Sequence, residues 1–484
     1  MNRHLSALAL LCATAAPLAA APATPEGAAG IDRALRTYLG QTPGVIAVQP
    51  EGDHYAVTLD PAPWIALAGP GMTAEVSPLH FRLTDNGDGT WALAQNGPVS
   101  IRLAVPGTLT FDAAADAMAM DCTFDTALMA CRTSATTVSG VRSRQTQTDP
   151  DGTVTEVAYE VASVSAETSA RAAVAGSGID ADMRYVAKSI AETIRVTPGA
   201  ADAEAMPLSA DITVANYAAT AEAKAVRTEA LYALLAWFVA HPSEAAIGAD
   251  TDGLKATLRA ALPFWSSVSG RFEAREVGVS TPFGAGSAES FAFALDMSGA
   301  INDGRFRESA TVRGLKLPTE LMPAWVPPLL PLEATIDVAV AGFDLAAPAA
   351  LLLDSIGPDF EPDEGFDAKL LAALLPEGKV KITLAPQGVQ TPTYTLDYEG
   401  GFDAGPGLLP EGKVTVAATG IEATLEALNA APEDVRSGAV PGVMMLRGMA
   451  KPAGVGRFVW DIEMTADGKV LVNGTDMSAL ATMQ

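Results

Sequence analysis

Residues 81–93 read Phe-Arg-Leu-Thr-Asp-Asn-Gly-Asp-Gly-Thr-Trp-Ala-Leu, and this stretch indicates how the chain is built. Apolar and polar side chains alternate on both sides of a turn, with Phe81 and Leu83 before it and Trp91 and Leu93 after it. Asp, Asn and Gly favour tight turns because they tolerate left-handed backbone conformations. The stretch therefore predicts an antiparallel hairpin with one buried and one polar face.

The same alternation recurs along most of the chain. Further strands are predicted by apolar positions spaced two apart, at Tyr55/Val57/Leu59, Ile101/Leu103/Val105, Leu109/Phe111, Val157/Tyr159/Val161, Phe291/Phe293/Leu295/Met297, Ile336/Val338/Val340, Val380/Ile382/Leu384, Tyr394/Leu396/Tyr398, Val414/Val416, Phe458/Trp460/Ile462/Met464 and Val470/Val472. Alternation is typical of antiparallel sheets with one solvated face, whereas parallel strands buried on both faces are apolar throughout.

Helical spacing interrupts these strands. Leu231, Leu234, Leu235 and Phe238 lie at i, i+3, i+4 and i+7, which predicts a helix over 222–240 that ends before Pro242. Other helices are predicted over 179–194, 254–262, 347–356, 367–375, 421–430 and 433–446. The pattern predicts an α+β fold, an extended curved antiparallel sheet with helices packed on one face.

Two parts of the mature chain are expected. Residues 22–205 are predicted to be mainly β, and residues 206–484 to be α+β, with a softer boundary in the proline-rich stretch 318–331. The sequence Leu-Leu-Pro-Glu-Gly-Lys-Val occurs at 374–380 and again at 408–414. Two copies are too few for a solenoid, so we interpret them as two strands entered through the same turn chemistry.

Residues 1–21 are typical of a secretory signal peptide. Arg3 and His4 precede an apolar run from Leu5 to Leu18, and small alanines follow. The run is too short for a membrane span, which needs about 20 residues. Cys12 lies inside the run, behind the bulky Leu11, so the pattern disfavours a lipoprotein signal. We therefore expect export to a bacterial periplasm, without a transmembrane segment in the mature chain.

The two remaining cysteines fit an oxidising compartment. Cys122 and Cys131 form an even pair, which predicts a disulfide. The alternative readings are a redox pair or a metal site. The spacing of the pair is wider than the C-x-x-C of thiol oxidoreductases, and no histidine lies nearby in sequence.

Composition excludes several classes of protein. The 484 residues include 31 Lys and Arg against 57 Asp and Glu, for a net charge of −26, and 49% are hydrophobic. The chain is too apolar to be disordered and too acidic for a general nucleic-acid binder. We interpret the acidity as a means of keeping a sheet-rich protein with long edges in solution.

Acidic motifs suggest phosphoryl transfer or metal binding, but each has a simpler interpretation. Residues 149–153 match the D-x-D-G-T motif of haloacid-dehalogenase-like phosphatases, yet polar residues precede them where a buried strand is required. Residues 85–90 fail the spacing of an EF-hand loop. Hairpin turns explain both motifs. The acidic cluster Asp359, Glu361, Asp363, Glu364 and Asp367 could bind a cation but is more typical of a solvated loop.

No catalytic motif is present. The mature chain has three histidines, His54, His80 and His241, and lacks the nucleophile-elbow, zinc-protease, phosphate-loop and dinucleotide-binding patterns. We predict a protein that is not an enzyme, with no catalytic residue, cofactor or metal ligand, and the disulfide as its only assigned pair.

The second half of the chain resembles a known family. The residues that carry the resemblance are Gly270-Arg-Phe-Glu, 342–348, 375–380, Trp460-Asp-Ile-Glu-Met464 and Val470-Leu-Val-Asn-Gly474. They are similar to exported alphaproteobacterial proteins of the domain of unknown function 2125. The resemblance covers about residues 220–480 and implies a distant likeness to AsmA-like envelope proteins, whose long curved sheets are associated with lipid transport.

Three functions follow as expectations. The first is a periplasmic envelope protein that binds or carries a lipid or other hydrophobic ligand, because half-buried strands could leave a sheet face open. The second is a structural or assembly partner of an envelope complex. The third is a periplasmic hydrolase built from residues distant in sequence.

Overall fold

The computed structural model describes residues 22–66, 71–199, 205–320, 322–357 and 365–477. Helices within these ranges are α1 (Pro25–Leu39), α2 (Ala62–Ala66), α3 (Thr228–Ala240), α4 (Glu244–Ala249), α5 (Thr251–Ala261), α6 (Ala346–Ser355), α7 (Phe366–Leu374), α8 (Ile421–Asn429) and α9 (Glu433–Met449). Strands are β1 (Ile46–Glu51), β2 (His54–Leu59), β3 (Thr73–Val76), β4 (Leu79–Asp85), β5 (Thr90–Val105), β6 (Leu109–Asp125), β7 (Ala130–Thr148), β8 (Val154–Ala172), β9 (Ile179–Thr197), β10 (Leu208–Val226), β11 (Ser267–Thr281), β12 (Gly284–Ser298), β13 (Gly304–Arg313), β14 (Glu333–Phe343), β15 (Val380–Gln390), β16 (Thr395–Ala404), β17 (Glu411–Thr419), β18 (Lys451–Pro452), β19 (Arg457–Met464), β20 (Val470–Val472) and β21 (Thr475–Asp476).

All these strands belong to one antiparallel sheet. Its main order is β1, β2, β4, then β5 through β17 in sequence, then β19, β20 and β21. β3 pairs with the second half of β5, and β18 pairs with β19. Strands β7 to β10 have 19 residues each, and at about 3.3 Å per residue they span about 60 Å.

The sheet is open and curved. Within the described residues, β1 and β21 each pair on one side only, so the sheet has two free edges. The chain exposes 28793 Å², whereas surface scaling gives about 17,000 Å² for a compact protein of this mass. This excess is expected when a wide sheet is not matched by a second layer of equal size. The predicted α+β class with an extended, curved antiparallel sheet is confirmed.

Helices α1, α8 and α9 cover one side of the sheet near its two lateral edges, and α3, α5, α6 and α7 continue from α1 as a row of packed helices. At one edge, α1 packs against β1 and β2, where the N–H of Thr24 donates to the Tyr55 hydroxyl at 3.3 Å. At the other edge, α8 and α9 lie over β16, β17 and β19. There Trp460 is 8% exposed, and its indole N–H donates to the Leu446 carbonyl at 2.8 Å.

Five of the predicted helices are confirmed with small shifts of their ends. They correspond to α5, α6, α7, α8 and α9, and α9 continues through Pro441 to Met449. The prediction over 222–240 is right only from Thr228, because residues 222–226 complete β10. Helix α1, which begins with Thr24 as its N-cap, was not predicted.

The predicted helix over 179–194 is wrong, because these residues form β9. Apolar side chains at 179, 183, 187, 190 and 194 are spaced four, four, three and four apart, which is also helical spacing. In the strand, the step of three arises at Ser189, whose φ is +54°. This left-handed residue shifts the alternation by one position, so a strand acquires the sequence pattern of a helix.

The two proposed parts of the chain share this sheet. β9 and β10, which flank the predicted boundary at 205–206, pair over nearly their whole lengths, and β13 pairs with β14 across the stretch 318–331. The division into domains stays a prediction. The two Leu-Leu-Pro-Glu-Gly-Lys-Val copies differ in conformation: Gly378 is a turn residue with a φ of +71°, whereas Gly412 lies inside β17. Our interpretation of shared turn chemistry is therefore wrong.

The predicted disulfide is present, with an S–S distance of 2.06 Å between Cys122 and Cys131. It closes the hairpin of β6 and β7. Next to it, the buried Asp125 accepts the N–H groups of Ala127 and Leu128 and pairs with Arg132 at 2.6 Å. Burial opposes ionisation, but these donors outweigh it and lower the pKa of Asp125.

Replacing both cysteines with serine should destabilise the protein by about 2.7 kcal/mol. The closed loop has about ten residues, and the chain-entropy model gives this value for the unfolded state. Urea unfolding of the wild type and the variant measures the difference. As a control, a reducing agent should lower the wild-type midpoint and leave the variant unchanged; equal midpoints for the two oxidised proteins would contradict the prediction.

Candidate functional site: the apolar face of the sheet

The strand register sorts side chains onto two faces. Directly paired residues of antiparallel strands point to the same side. Tyr55 pairs with Leu83, Leu83 with Leu93 and Leu93 with Cys122, so apolar groups continue across β2, β4, β5 and β6. Followed onward through every strand, the register gives one mostly apolar side, which we call the apolar face.

Apolar residues dominate this face over the central strands β8 to β14. The face there consists of Val157, Tyr159, Val161, Val164 and Ala166 on β8; Met183, Tyr185, Ala187, Ile190, Glu192 and Ile194 on β9; Ala210, Ile212, Val214, Tyr217, Ala219 and Ala221 on β10; Phe272, Ala274, Val277 and Val279 on β11; Ala288, Phe291, Phe293 and Leu295 on β12; Phe306, Glu308, Ala310 and Val312 on β13; and Ala334, Ile336, Val338 and Val340 on β14.

The opposite face is polar and charged. Its ion pairs include Arg102 with Asp112 at 2.6 Å, Arg171 with Asp182 at 2.7 Å, and Arg307 with Asp337 at 2.7 Å. Most of these side chains are exposed, so each pair contributes little to stability. Their effect is to keep this face in water and the apolar groups on the other side.

A shared irregularity keeps the apolar face continuous. In each of the seven neighbouring strands β6 to β12, two successive apolar-face residues are three positions apart instead of two. These irregular steps lie side by side and form one row across the sheet: Ala115/Met118, Val138/Val141, Val161/Val164, Ala187/Ile190, Val214/Tyr217, Ala274/Val277 and Ala288/Phe291. In this row Gly140, Ser189 and Glu276 have φ values of +61°, +54° and +54°. Because the alternation shifts at the same row in all these strands, the apolar side chains beyond the row remain on the apolar face.

The centre of the apolar face is uncovered. Helix α1 covers its β1–β2 edge, and α8 and α9 cover β16 to β19, but Phe291 on β12 is 43% exposed and Ile336 on β14 is 55% exposed. These two side chains flank β13 on the same face. This exposed apolar area is therefore the candidate binding surface.

Four polar side chains interrupt the apolar face near its centre. Tyr159 pairs directly with Glu192 across β8 and β9, and the rings of Tyr185 and Tyr217 meet edge to face at 6.0 Å. Burial raises the pKa of the Tyr159 hydroxyl, and Tyr185 and Glu192 raise it further. Sequence reasoning missed this cluster, although Tyr159 stood in a predicted strand, because the alternation of β9 was not recognised.

Motifs that suggested phosphoryl transfer or calcium binding are turns. Residues 149–153 join β7 to β8, where Asp151 accepts the N–H of Thr153 at 2.9 Å, and residues 85–90 join β4 to β5. The preceding strands are antiparallel, unlike the buried parallel strand that a phosphatase nucleophile requires. Most of the acidic cluster, residues 359–364, lies outside the described residues. Among the described residues, no three His, Cys, Asp or Glu side chains are arranged to hold a metal ion.

The three histidines occupy separate environments. His54 lies beside Asp53 at 3.0 Å, at the β1–β2 turn. His80 is on β4, with Nδ1 3.1 Å from the Thr58 hydroxyl. His241 ends α3, stacks on Trp237 with ring centroids 4.0 Å apart and lies 3.4 Å from Asp250. The structure does not bring them together as one hydrolytic site.

The polar face also has depressions, but their charges are matched. One of about 500 Å³ is lined by three arginines, Arg102, Arg142 and Arg144, and by three acids, Glu75, Asp112 and Glu160. Equal numbers of opposite charges give this depression no strong preference for an anion or a cation. The uncovered apolar face is therefore the stronger candidate site.

No protein-family model, curated protein or solved structure matches the chain.

Among the described helices, none combines the length and the apolar character needed to cross a bilayer.

The shared irregular row should be essential to the sheet, and Gly140→Val tests it. A β-branched residue is strained at a φ of +61°, and its Cβ would also crowd the Asp116 carboxylate. We expect a loss of stability of about 1–3 kcal/mol in urea unfolding. Ser139→Val, one position earlier on the exposed polar face, is the control and should change stability little. Equal effects of the two substitutions would contradict the role of the row.

Proposed function

We propose that this chain is a non-enzymatic periplasmic envelope protein that binds the acyl chains of lipids on the uncovered part of its apolar face. The observation that carries the proposal is the continuous apolar face of β8 to β14, with Phe291 and Ile336 open to solvent. Covering such area contributes about 25 cal/mol per Å². The polar face stays hydrated while the other face holds the hydrocarbon.

The shape of the face supports an elongated apolar ligand. Strand β12 has 15 residues and spans about 50 Å, longer than an acyl chain. Its open Phe291 and the open Ile336 of β14 flank Ala310 and Val312 of β13. An open face of this length suits several flexible chains better than one small rigid ligand.

The periplasmic location is part of the proposal. It is supported by the disulfide, because structural disulfides persist in oxidising compartments, and by the predicted signal peptide at residues 1–21, which lies outside the described residues.

Charge inserted into the open face should abolish binding. For Phe291→Asp we expect at least a tenfold loss of affinity for a fluorescent fatty acid, because a carboxylate beside hydrocarbon costs more than the roughly 1.4 kcal/mol of a tenfold change. Ile336→Asp should act alike. Both residues are exposed, so the urea midpoint should change little.

Ser290→Asp is the matched control for these variants. Ser290 precedes Phe291 on the polar face and pairs with Arg275 and Arg313, which would accommodate a carboxylate. This variant should bind like the wild type. If Phe291→Asp and Ile336→Asp also bind like the wild type, or if the wild type binds no fatty acid, the proposed function is wrong.

A further inference from the structure

The polar cluster within the apolar face has the chemistry of a lipid head-group site. It consists of Tyr159, Glu192, Tyr185 and Tyr217, and we call it the tyrosine–glutamate cluster. Tyr159 and Glu192 are directly paired across two strands, and Tyr185 and Tyr217 are in ring contact at 6.0 Å. The same apolar residues that would hold hydrocarbon surround it.

The two halves of the cluster lie on the same face of β8, β9 and β10. Tyr159 pairs with Glu192, and farther along the same strands Tyr185 pairs with Ala166 and Tyr217 with Ala187. Between the two halves on the same face are Val161 and Ala187, which are 3% and 2% exposed. These residues form a buried apolar floor between the polar groups.

The polar groups of the cluster have unused binding capacity. Within the described residues, the three tyrosine hydroxyls make no hydrogen bond and Glu192 has neither a hydrogen bond nor an ion pair. Three neutral hydroxyls can donate to phosphate oxygens, and tyrosine rings attract ammonium groups. A carboxylate that faces hydrocarbon is favourable only when a cation pairs with it.

We propose that the tyrosine–glutamate cluster binds the head group of a zwitterionic phospholipid, with the Tyr159 hydroxyl donating to the phosphate and Glu192, its direct partner across β8 and β9, pairing with the ammonium group. The proposal rests on the proposed function, because the acyl chains of the same lipid would lie on the apolar face. It adds a preference among lipids that apolar contact alone cannot provide.

Charge complementarity favours this ligand over an anionic lipid. The apolar face of β8 to β14 carries two carboxylates, Glu192 and Glu308, and no Lys or Arg. A head group with a phosphate and no cation would meet uncompensated negative charge. Glu308 on β13 has no tyrosine among its direct cross-strand neighbours, Leu295 and Val338, so it provides the matched control.

Native mass spectrometry of the delipidated full chain tests the preference. The protein is mixed with equal amounts of phosphatidylethanolamine, phosphatidylcholine and phosphatidylglycerol that carry identical acyl chains. The wild type should retain either zwitterionic lipid about tenfold more than phosphatidylglycerol, because only these two lipids place a cation beside the Glu192 carboxylate. Glu192→Gln should abolish this ratio, Tyr159→Phe should reduce it, and Glu308→Gln should preserve it.

The outcomes separate this inference from the proposed function. If all three lipids bind equally to the wild type, or if Glu192→Gln keeps the preference, the head-group site is wrong while acyl-chain binding stands. If no lipid binds, both fail. Urea unfolding of Glu192→Gln and Tyr159→Phe confirms that a lost preference does not reflect a lost fold.

Discussion

The structure depends on one constraint: a single wide sheet has to keep all its apolar side chains on one face without a second sheet to cover them. The register achieves this from Tyr55 on β2 to Trp460 on β19. Where the alternation of a strand shifts by one residue, its neighbours shift in the same row. The apolar side chains on both halves of each strand therefore stay on the same face. The helices α1, α8 and α9 cover the margins and leave the centre open. The proposed function rests on that uncovered area.

Much of the fold could be predicted from the sequence, because alternation reports directly which face a strand residue occupies. The hairpin at residues 81–93 is an example. The disulfide and helix α5 were predicted from the even cysteine pair and from helical spacing. The prediction failed where alternation is shifted. The left-handed backbone of Ser189 gives the apolar residues of β9 a helical spacing. A positive φ at a serine cannot be predicted from the pattern of side chains.

The candidate site was harder to predict than the fold. An apolar position in a strand is the same in sequence whether a helix covers it, as α9 covers Trp460, or solvent does, as at Ile336. The tyrosine–glutamate cluster requires the register of β8 to β10, because Tyr159, Glu192 and Tyr217 come from three strands. The acidic motifs at residues 85–90 and 149–153 resemble calcium-binding and phosphatase sequences, but in the structure they form turns.

Photocrosslinking can locate the ligand. A phospholipid with a diazirine at the end of its acyl chain would be bound to the protein, irradiated and mapped by peptide mass spectrometry. Adducts should fall on apolar-face residues of β8 to β14, and unlabelled lipid should compete them away. Adducts confined to the polar face or to the helices, or adducts that resist competition, would contradict the proposal that this sheet presents a lipid-binding face.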